Sequence, residues 1–536
     1  MPVYRLVSND KRIGTVELDE RPLQLGRHPD NDVRIEDDLA SRFHCTIEPD
    51  GMGRFLLKDL GSRNGTRLNG QRVSEVLLSG GDVISVGKFQ LAVQAEDTKT
   101  ERRKVARSKS AENDPVWAVD LREIIESLPP KTSADEMMVL LNADGSPSEA
   151  LSNSDSEGAK AVRLLLLASK SRATDIHFEP KGDSFVIRMR VDGQMLHIVD
   201  LPNSVGELAQ GLIRTACLMK QAGRDATLDG HMSARFQDRR VDYRASFTPT
   251  VNGPKLVVRS LDSRVAPQTL ASMGMPAYMY QRVQKVCEQD AGLLMVSGPT
   301  GSGKTTTLYN ALREIDRTRR NVVTIEDPVE YHLEGVTQIP VTSNATFGGL
   351  LRSVLRQDPD VILVGEIRDE ETARVAMQAA MTGHVVFSTV HAKDTIGAVF
   401  RLLDLGVEPY LVANSLDVIL AQRLVRMLCE HCKREVRVTP GQATKLGRFL
   451  EGKNCLFAAT GCPRCLRTGF NGRRAIFEML DFNDELRDTV LHNPSIQVMK
   501  KIIEQGVFTT LQQSGWVMAA KGLTTLDEVD KLAGWG

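Results

Sequence analysis

The chain has 536 residues, with 68 Lys+Arg against 69 Asp+Glu and a net charge of −1, which excludes a protein built chiefly to coat nucleic acid through a basic surface. Hydrophobic residues are 41% and charged residues 26% of the chain, the balance of a soluble protein with a sizeable core divided into about three to five structural units. No apolar run approaches the ~18–20 residues of a membrane span, the opening MPVYRLVSNDKRIG lacks a secretory core, and 8 cysteines in so long a chain are no disulfide scaffold. Residues 3–95 read as many short strands with frequent turns, as in FLLKDLGSRNGTRLNG. Residues 96–115 are polar and mixed in charge, a linker. Residues 116–140 have some helical spacing without a motif, and the Ser/Asp/Gly-rich 141–158 reads as a second linker. From 159, AKAVRLLLLASKSRA predicts a buried helix, followed by the strands DIHFEP and SFVIRMRVDG. From about 290 the apolar runs GLLMVS, NVVTIE, VILVGE and HVVFSTVH alternate with helical stretches, the pattern of a parallel sheet buried on both faces.

The run Gly298-Pro299-Thr300-Gly301-Ser302-Gly303-Lys304-Thr305, continued by Thr306, follows a strand and opens a helix. Its spacing is that of a phosphate loop, in which glycines turn backbone N–H groups inward around phosphates. Lys304 is predicted to reach the β/γ-phosphates and the Thr305 hydroxyl to hold Mg²⁺, with ATP as the ligand. Carboxylates end two of the apolar strands: Glu326 and Glu330 in EDPVE, and Glu366 before Ile367-Arg368-Asp369. At the carboxyl ends of parallel strands such groups face the ligand crevice, where they can position Mg²⁺ and orient or deprotonate water. Each alone reads equally as surface ion pairing. His384 and His391 flank the next strand; alone each reads as a structural histidine, and beside this strand order His391 becomes a candidate γ-phosphate sensor.

These residues, with ATDIHFEP, GPTGSGKTTT, TIEDPVEY, RQDPDVILVGEIRD, TGHVVFSTVHAKD and AQRLVR, resemble the type II secretion / type IV pilus assembly ATPases over about 159–536. The resemblance implies a RecA-like core over 271–536, preceded by a PAS-like α/β domain over 159–270, in a homo-hexameric ring. It places Lys304 and Thr305 in the Walker A motif, Glu326 to Glu330 in the Asp box with the later glutamate as base, Glu366 in Walker B, and His384 to His391 in the His box. It also implies arginines of the smaller domain closing on the nucleotide, Arg244 in VDYRAS and Arg259 in KLVVRSL, where a guanidinium spreads charge over a γ-phosphate. The His box departs from the pattern at Lys393, and the family's helical docking domain is not visible.

Cys429-x-x-Cys432 and Cys462-x-x-Cys465 supply four thiolates, the donor set of a tetrahedral Zn²⁺ site. The expected insert spans about 427–467 and is followed by a helical tail. Buried reduced thiols or a redox pair are the other readings. The resemblance agrees with zinc, because secretion and pilus-extension members carry such a site. Cys455 is in neither pair, and Cys45, Cys217 and Cys287 are expected in cores.

PLQLGRHPDNDVRI, LASRFHCTI and DLGSRNGTRLNG resemble a forkhead-associated (FHA) domain over residues 1–97, an all-β sandwich that reads phosphothreonine. The resemblance implies phosphate contacts from Arg27 and Ser41, help from Arg42 and Ser62, a peptide-backbone contact from Asn64, and a bracing His44. Residues 98–158 are then a linker with a short helical segment, in which Thr98 or Thr100 is a candidate internal ligand. The implied whole is a multidomain α/β protein, a cytoplasmic motor recruited to the inner membrane. It uses ATP, Mg²⁺ and Zn²⁺, works through an inner-membrane platform protein, and takes a phosphothreonine partner; it has no membrane span of its own, and nucleic acid is not an expected partner. The rivals are a catalytically weak phospho-signalling scaffold and a nucleic-acid translocase.

Overall fold

The computed structural model describes residues 3–8, 15–18, 22–49, 55–69, 71–78, 82–96, 114–129, 133–149, 156–170, 172–219, 226–262, 267–342, 345–506 and 508–533. The chain divides into two compact units, residues 1–114 and 115–536. Thr98, Thr100 and the polar stretch 97–113 lie outside the described residues.

The first unit is two β-sheets. One has 6 strands, running in the order Thr15–Glu17, Val3–Ser8, Phe89–Glu96, Val83–Val86, Thr66–Leu68, Gln71–Val73. The other has 5, in the order Val33–Arg34, Leu23–Gly26, Cys45–Pro49, Phe55–Asp59, Glu75–Leu77. Alternation decides which side chains go inward: Ile84 and Val86 are buried while Val83 and Ser85 are only partly so. Leu25, Ile47, Leu57 and Leu91 meet between the sheets, each such side chain contributing about 1.5–3 kcal/mol by leaving water.

The second unit begins where a linker was expected. Val116–Ser127 is a helix whose Trp117, Leu121 and Ile125, four residues apart, enter the core of the smaller domain. Val139–Leu141 adds an edge strand, pairing Leu140 with Ala234. The short helical segment expected within 98–158 is thus present as Val116–Ser127, and it and the edge strand Val139–Leu141 pack into the smaller domain. The Ser/Asp/Gly composition there serves a tight loop, in which Asp144 Oδ1 accepts from the Ser146 N–H at 2.9 Å, and a strand of 3 residues is too short to show alternation. The sheet it joins has 7 strands, in the order Val139–Leu141, Leu228–Arg235, Arg240–Thr248, Lys255–Leu261, Ala173–Lys181, Ser184–Val191, Gln194–Pro202. The helix Glu157–Ser169 has 10 buried positions, which fits its Leu-rich run.

The larger domain of this unit is built on a second 7-stranded sheet, in the order Thr337–Pro340, Val322–Glu326, Val361–Val364, Val385–Val390, Gly292–Ser297, Leu416–Leu428, Phe470–Asp481. All neighbours are parallel except the last pair. Gly292–Ser297, Val361–Val364 and Val385–Val390 are buried at every position, as expected of strands covered on both faces. The last two strands are long, 13 and 12 residues. Their far ends, where Leu428 faces Phe470, carry the cysteine insert with its small sheet of Arg434–Arg437 and Cys455–Ala458. Among the described residues no helix is long and apolar enough to cross a membrane.

Candidate functional site

The strand Gly292–Ser297 runs into the loop 298–303 and the helix Lys304–Arg313. Gly301 and Gly303 take left-handed backbone, φ 77° and 86°, which an L side chain resists. A Cβ on Gly303 would sit 2.8 Å from Gln422 Nε2, whereas one on Gly301 would meet nothing within 4 Å. The loop is thus braced from behind and open in front. Gln422, on the neighbouring strand, donates to the Ser302 carbonyl at 2.7 Å and accepts from the Thr307 hydroxyl. The Lys304 ammonium donates to the carbonyls of Gly298 and Pro299 at 2.8 and 3.1 Å. Burial pushes its pKa down to about 8, against the pull of Glu366, so an incoming phosphate meets a cation short of counter-charge.

This loop forms one wall of a cleft of about 880 Å³ between the core and the smaller domain. Thr300 to Thr306, Glu326, Glu330, Glu366 and His391 line it from the core, and Arg259 from the smaller domain. Glu366 is 15% exposed, pairs with Arg368, and lies 3.5 Å from His391 Nε2. Burial, followed by the charge of Lys304, lowers the His391 pKa, so its ring stays neutral near pH 7. His384 instead has Nδ1 at 3.1 Å from the Ala379 carbonyl, closing a helix end. Asp369 caps the helix Glu370–Met381, accepting from the Thr372 N–H at 2.8 Å.

The three predicted glutamates separate by environment. Glu326 is 4% exposed and fully engaged: it accepts from Thr324 Oγ1 at 2.6 Å, Gln338 Nε2 at 3.2 Å and the Tyr309 hydroxyl. Glu326 thus lies on the cleft lining with its carboxylate already held by three side chains. Glu330, four residues on, is half-buried on the cleft wall, and it, Glu366 and the exposed Asp327 are carboxylates there that can meet water or metal.

The two predicted arginines also differ. Arg259 Nε donates to Asp175 Oδ1 at 2.9 Å, its side chain 64% exposed in the cleft. Arg244, opposite it in the strand register, donates to the Val329 carbonyl at 2.7 Å and so grips the loop that carries Glu330. Sequence reasoning missed Arg190, which lies 3.6 Å from Asp175 and lines the cleft, and Arg473, which lines it from the last strand. Arg190 is every second residue with Arg188 on a predicted strand, a signal that places it on the polar face. Arg473 carries no local signal.

The four cysteines converge, all four Sγ atoms lying within 4.8 Å of one another. The separations Cys429–Cys462 and Cys432–Cys465 are 3.9 Å, and Cys462–Cys465 is 3.7 Å. A tetrahedral thiolate centre with metal–sulfur bonds of about 2.3 Å has sulfur–sulfur edges of about 3.8 Å, so these residues fit a metal ion. Burial pushes the Cys462 thiol up to about 12, whereas at Cys465 burial is outweighed by backbone N–H bonds, which lower the thiol. Cys465 Sγ also accepts N–H bonds from Cys462 at 3.1 Å and Gly469 at 3.3 Å. Cys455 stands apart, bonded to Glu435 at 3.1 Å.

In the first unit the three signature loops meet. The Arg27 N–H donates to the Ser41 carbonyl at 2.9 Å, Ser41 Oγ accepts from the Arg63 N–H at 3.0 Å, and Asn64 Nδ2 donates to the Leu39 carbonyl at 2.8 Å. Arg27 keeps a half-exposed guanidinium, 3.1 Å from the exposed Asp38, and the Arg42 side chain is exposed. His44 is fully buried and its Nδ1 accepts from the Ser41 N–H at 3.0 Å, a brace as expected. Ser62 departs from expectation. It is 6% exposed, its hydroxyl bonded to Asp59 at 2.6 Å and accepting the Gly65 N–H at 3.0 Å, so it holds the turn and does not face a ligand.

Comparison with known proteins agrees with both halves. The family profile described as Type II/IV secretion system protein matches residues 160–531, and that of the FHA domain matches 23–87. The type II secretion system ATPase E of Vibrio cholerae is 38% identical over 70% of this chain and 76% of its own. The type IV pilus assembly ATPase PilB of Thermus thermophilus is 33% identical over 89% of this chain and 54% of its own. The X-ray structure of the Legionella pneumophila ATPase DotB superposes with a TM-score of 0.53 at 21% identity, covering 70% of this chain and 95% of that one, a likeness of fold. With its phosphate loop and its cleft of charged side chains in place, the chain belongs to the type II/IV secretion system protein family and is an ATPase that carries an FHA domain ahead of its ATPase region.

Proposed function

We propose that this ATPase works as a cytoplasmic homo-hexamer at the inner membrane, and that it powers pilus or pseudopilus assembly for type II secretion through an inner-membrane platform protein. The supporting observation is the cleft itself. Lys304, Glu330, Glu366 and His391 stand on one wall and Arg259 on the other, so nucleotide state and domain position are one variable. Arg259 binds Asp175 through Nε, which leaves its two Nη groups for a phosphate. Lys304 and the loop N–H groups between Thr300 and Thr306 hold the phosphates; Thr305 and Glu366 would hold Mg²⁺, which would supply charge neutralisation at the phosphate oxygens. Glu330 orients and deprotonates the attacking water, Glu366 and His391 face the γ-phosphate, and Arg259 spreads the charge that develops there. Arg244 acts through the Val329 carbonyl and keeps Glu330 in place. Replacing Arg259 with alanine is expected to lower kcat by roughly 10³-fold, as for other arginines that meet a γ-phosphate, with little change in ATP affinity; phosphate release and equilibrium binding, measured together, check this.

The four-cysteine cluster is read as a structural zinc site, because four thiolates with closed tetrahedral spacing suit zinc without an open position. The first unit is read as a phosphothreonine receptor that recruits or regulates the motor. Arg27 and Ser41 take the phosphate, Arg42 adds charge, and Asn64 holds the peptide backbone. An Arg27→Ala chain is expected to lose at least about tenfold in affinity for phosphothreonine peptides, one charge-assisted bidentate contact being worth about 1.5–3 kcal/mol. Fluorescence anisotropy with a degenerate phosphothreonine library reads this out, and binding indifferent to Arg27 would refute the assignment.

A further inference from the structure

After the second cysteine pair the chain reads Leu466-Arg467-Thr468-Gly469-Phe470-Asn471-Gly472-Arg473. Leu466 and Arg467 take left-handed backbone, φ 52° and 60°, turning the chain sharply as it leaves the knuckle. The Leu466 side chain packs on the hydrophobic core of the smaller domain, the cluster that contains Trp117, Leu121 and Ile125. Ser127, at the end of that same helix, reaches the Pro463 carbonyl at 3.5 Å. Gly469 is then fixed to both knuckles: its N–H donates to Cys465 Sγ at 3.3 Å, and its carbonyl accepts the Cys429 N–H at 2.9 Å.

Three residues further, Gly472 donates its N–H to Asp192 Oδ2 at 2.9 Å. Asp192 and Gly193, φ 50° and 85°, form the two-residue turn between Ser184–Val191 and Gln194–Pro202, the mirror-type turn that suits a hairpin. The Asp192 carboxylate is 8% exposed and takes both of its oxygens to 3.3 Å from Arg172 Nε. Arg426 reinforces the same hairpin, donating to Gln194 Oε1 at 2.6 Å and lying 4.1 Å over the Phe470 ring. The residue after Gly472 is Arg473, which lines the nucleotide cleft beside Arg190 and Gly193. One short stretch thus runs from metal-binding cysteines to the nucleotide, gripping the smaller domain at Leu466 and at Gly472 on the way.

We propose that the four-cysteine metal site governs nucleotide affinity through this stretch, and that Asp192 is the positioning residue that carries the coupling. The inference rests on the reading of the cysteines as a zinc site. With the metal bound, the knuckle fixes Gly469 and Leu466, Gly472 meets Asp192, and the smaller domain is held down on the phosphate loop. Without it, Gly469 loses its anchor and the two grips loosen together. Because binding couplings are reciprocal, nucleotide also retains the metal.

The test uses the full-length chain, a fluorescent ATP analogue and zinc analysis by atomic emission. Stripping zinc from the wild type with a chelator is expected to weaken the analogue roughly tenfold, and restored zinc to recover it. Asp192→Ala should keep about one zinc per chain yet bind the analogue as weakly as the stripped wild type, with little added loss on stripping, since both changes act on one path. ATP should slow zinc release from the wild type and not from Asp192→Ala. Leu466→Ala must show the same pattern, which covers an Asp192 variant that fails to fold. Unchanged affinity on stripping, or losses that simply add, overturns the coupling in a chain that still holds zinc. A chain that takes up no zinc overturns the metal reading itself, and the coupling falls with it.

Discussion

A chain with alanine in place of Lys304 is expected to lose ATP turnover by on the order of 10²–10³-fold or more, the cost of removing one preorganised donor from developing charge. The argument begins with the ammonium's present partners. It holds only the carbonyls of Gly298 and Pro299, both neutral, and burial has already pushed its pKa down to about 8. A phosphate oxygen is a far better partner than either carbonyl, so the ammonium swings to it with little reorganisation. Above pH 8 the empty cleft would lose this proton, and nucleotide binding would have to restore it. Two neighbouring guanidiniums of the core are already engaged: Arg368 is paired with Glu366, and Arg423 donates to backbone carbonyls of Gln422 and Lys393 at 2.9 and 2.6 Å. Both affinity and kcat fall, which a titration with labelled nucleotide and a phosphate-release assay separate.

Replacing Cys465 with serine is the second large effect. This thiol is among the buried members of the cluster, lies 3.7 and 3.9 Å from two others, and accepts two N–H bonds. A hydroxyl is a poorer zinc ligand than a thiolate, and the site closes no loop without its fourth donor. Zinc content should fall from about one per chain to near zero, and the insert around 427–467 should become open to limited proteolysis while the parallel sheet resists. The insert has few other means of support: its small core is Leu446, Leu450, Leu456 and Leu526, with Trp516 and Val438 packed against it. Full zinc content in the serine variant would contradict the assignment.

The phosphate loop, the acids at the strand ends and the paired cysteines were legible because their chemistry demands particular residues at fixed short spacing. Glycine is needed where the backbone turns left-handed at Gly301 and Gly303, and two thiolates with two residues between them can share one ion. The division of labour among the glutamates was not legible. Glu326 is removed from water by Thr324, Tyr309 and Gln338, of which only Thr324, two residues away, is near in the chain, and burial of this kind has no local signature. The same holds for Asp175 and Arg473, which line the cleft together only because two sheets are brought together. The helical spacing of Val116–Ser127 was legible, but its place in the smaller domain was not, because one turn-to-turn apolar stripe within a polar region resembles a linker until its partner surface is known. In the first unit, Ser62 carried a signature position but not the signature role, since the turn needs its hydroxyl inward for Asp59.

Phosphate release by the full-length wild type at saturating ATP and Mg²⁺, read beside ATP binding by the same preparation, tests the central claim most directly. The account predicts steady turnover in the wild type and binding-impaired, turnover-deficient protein for Lys304→Ala. Tight ATP binding with no phosphate release above the Lys304→Ala level would contradict it, and would leave the chain as a nucleotide-binding scaffold for phosphorylated partners.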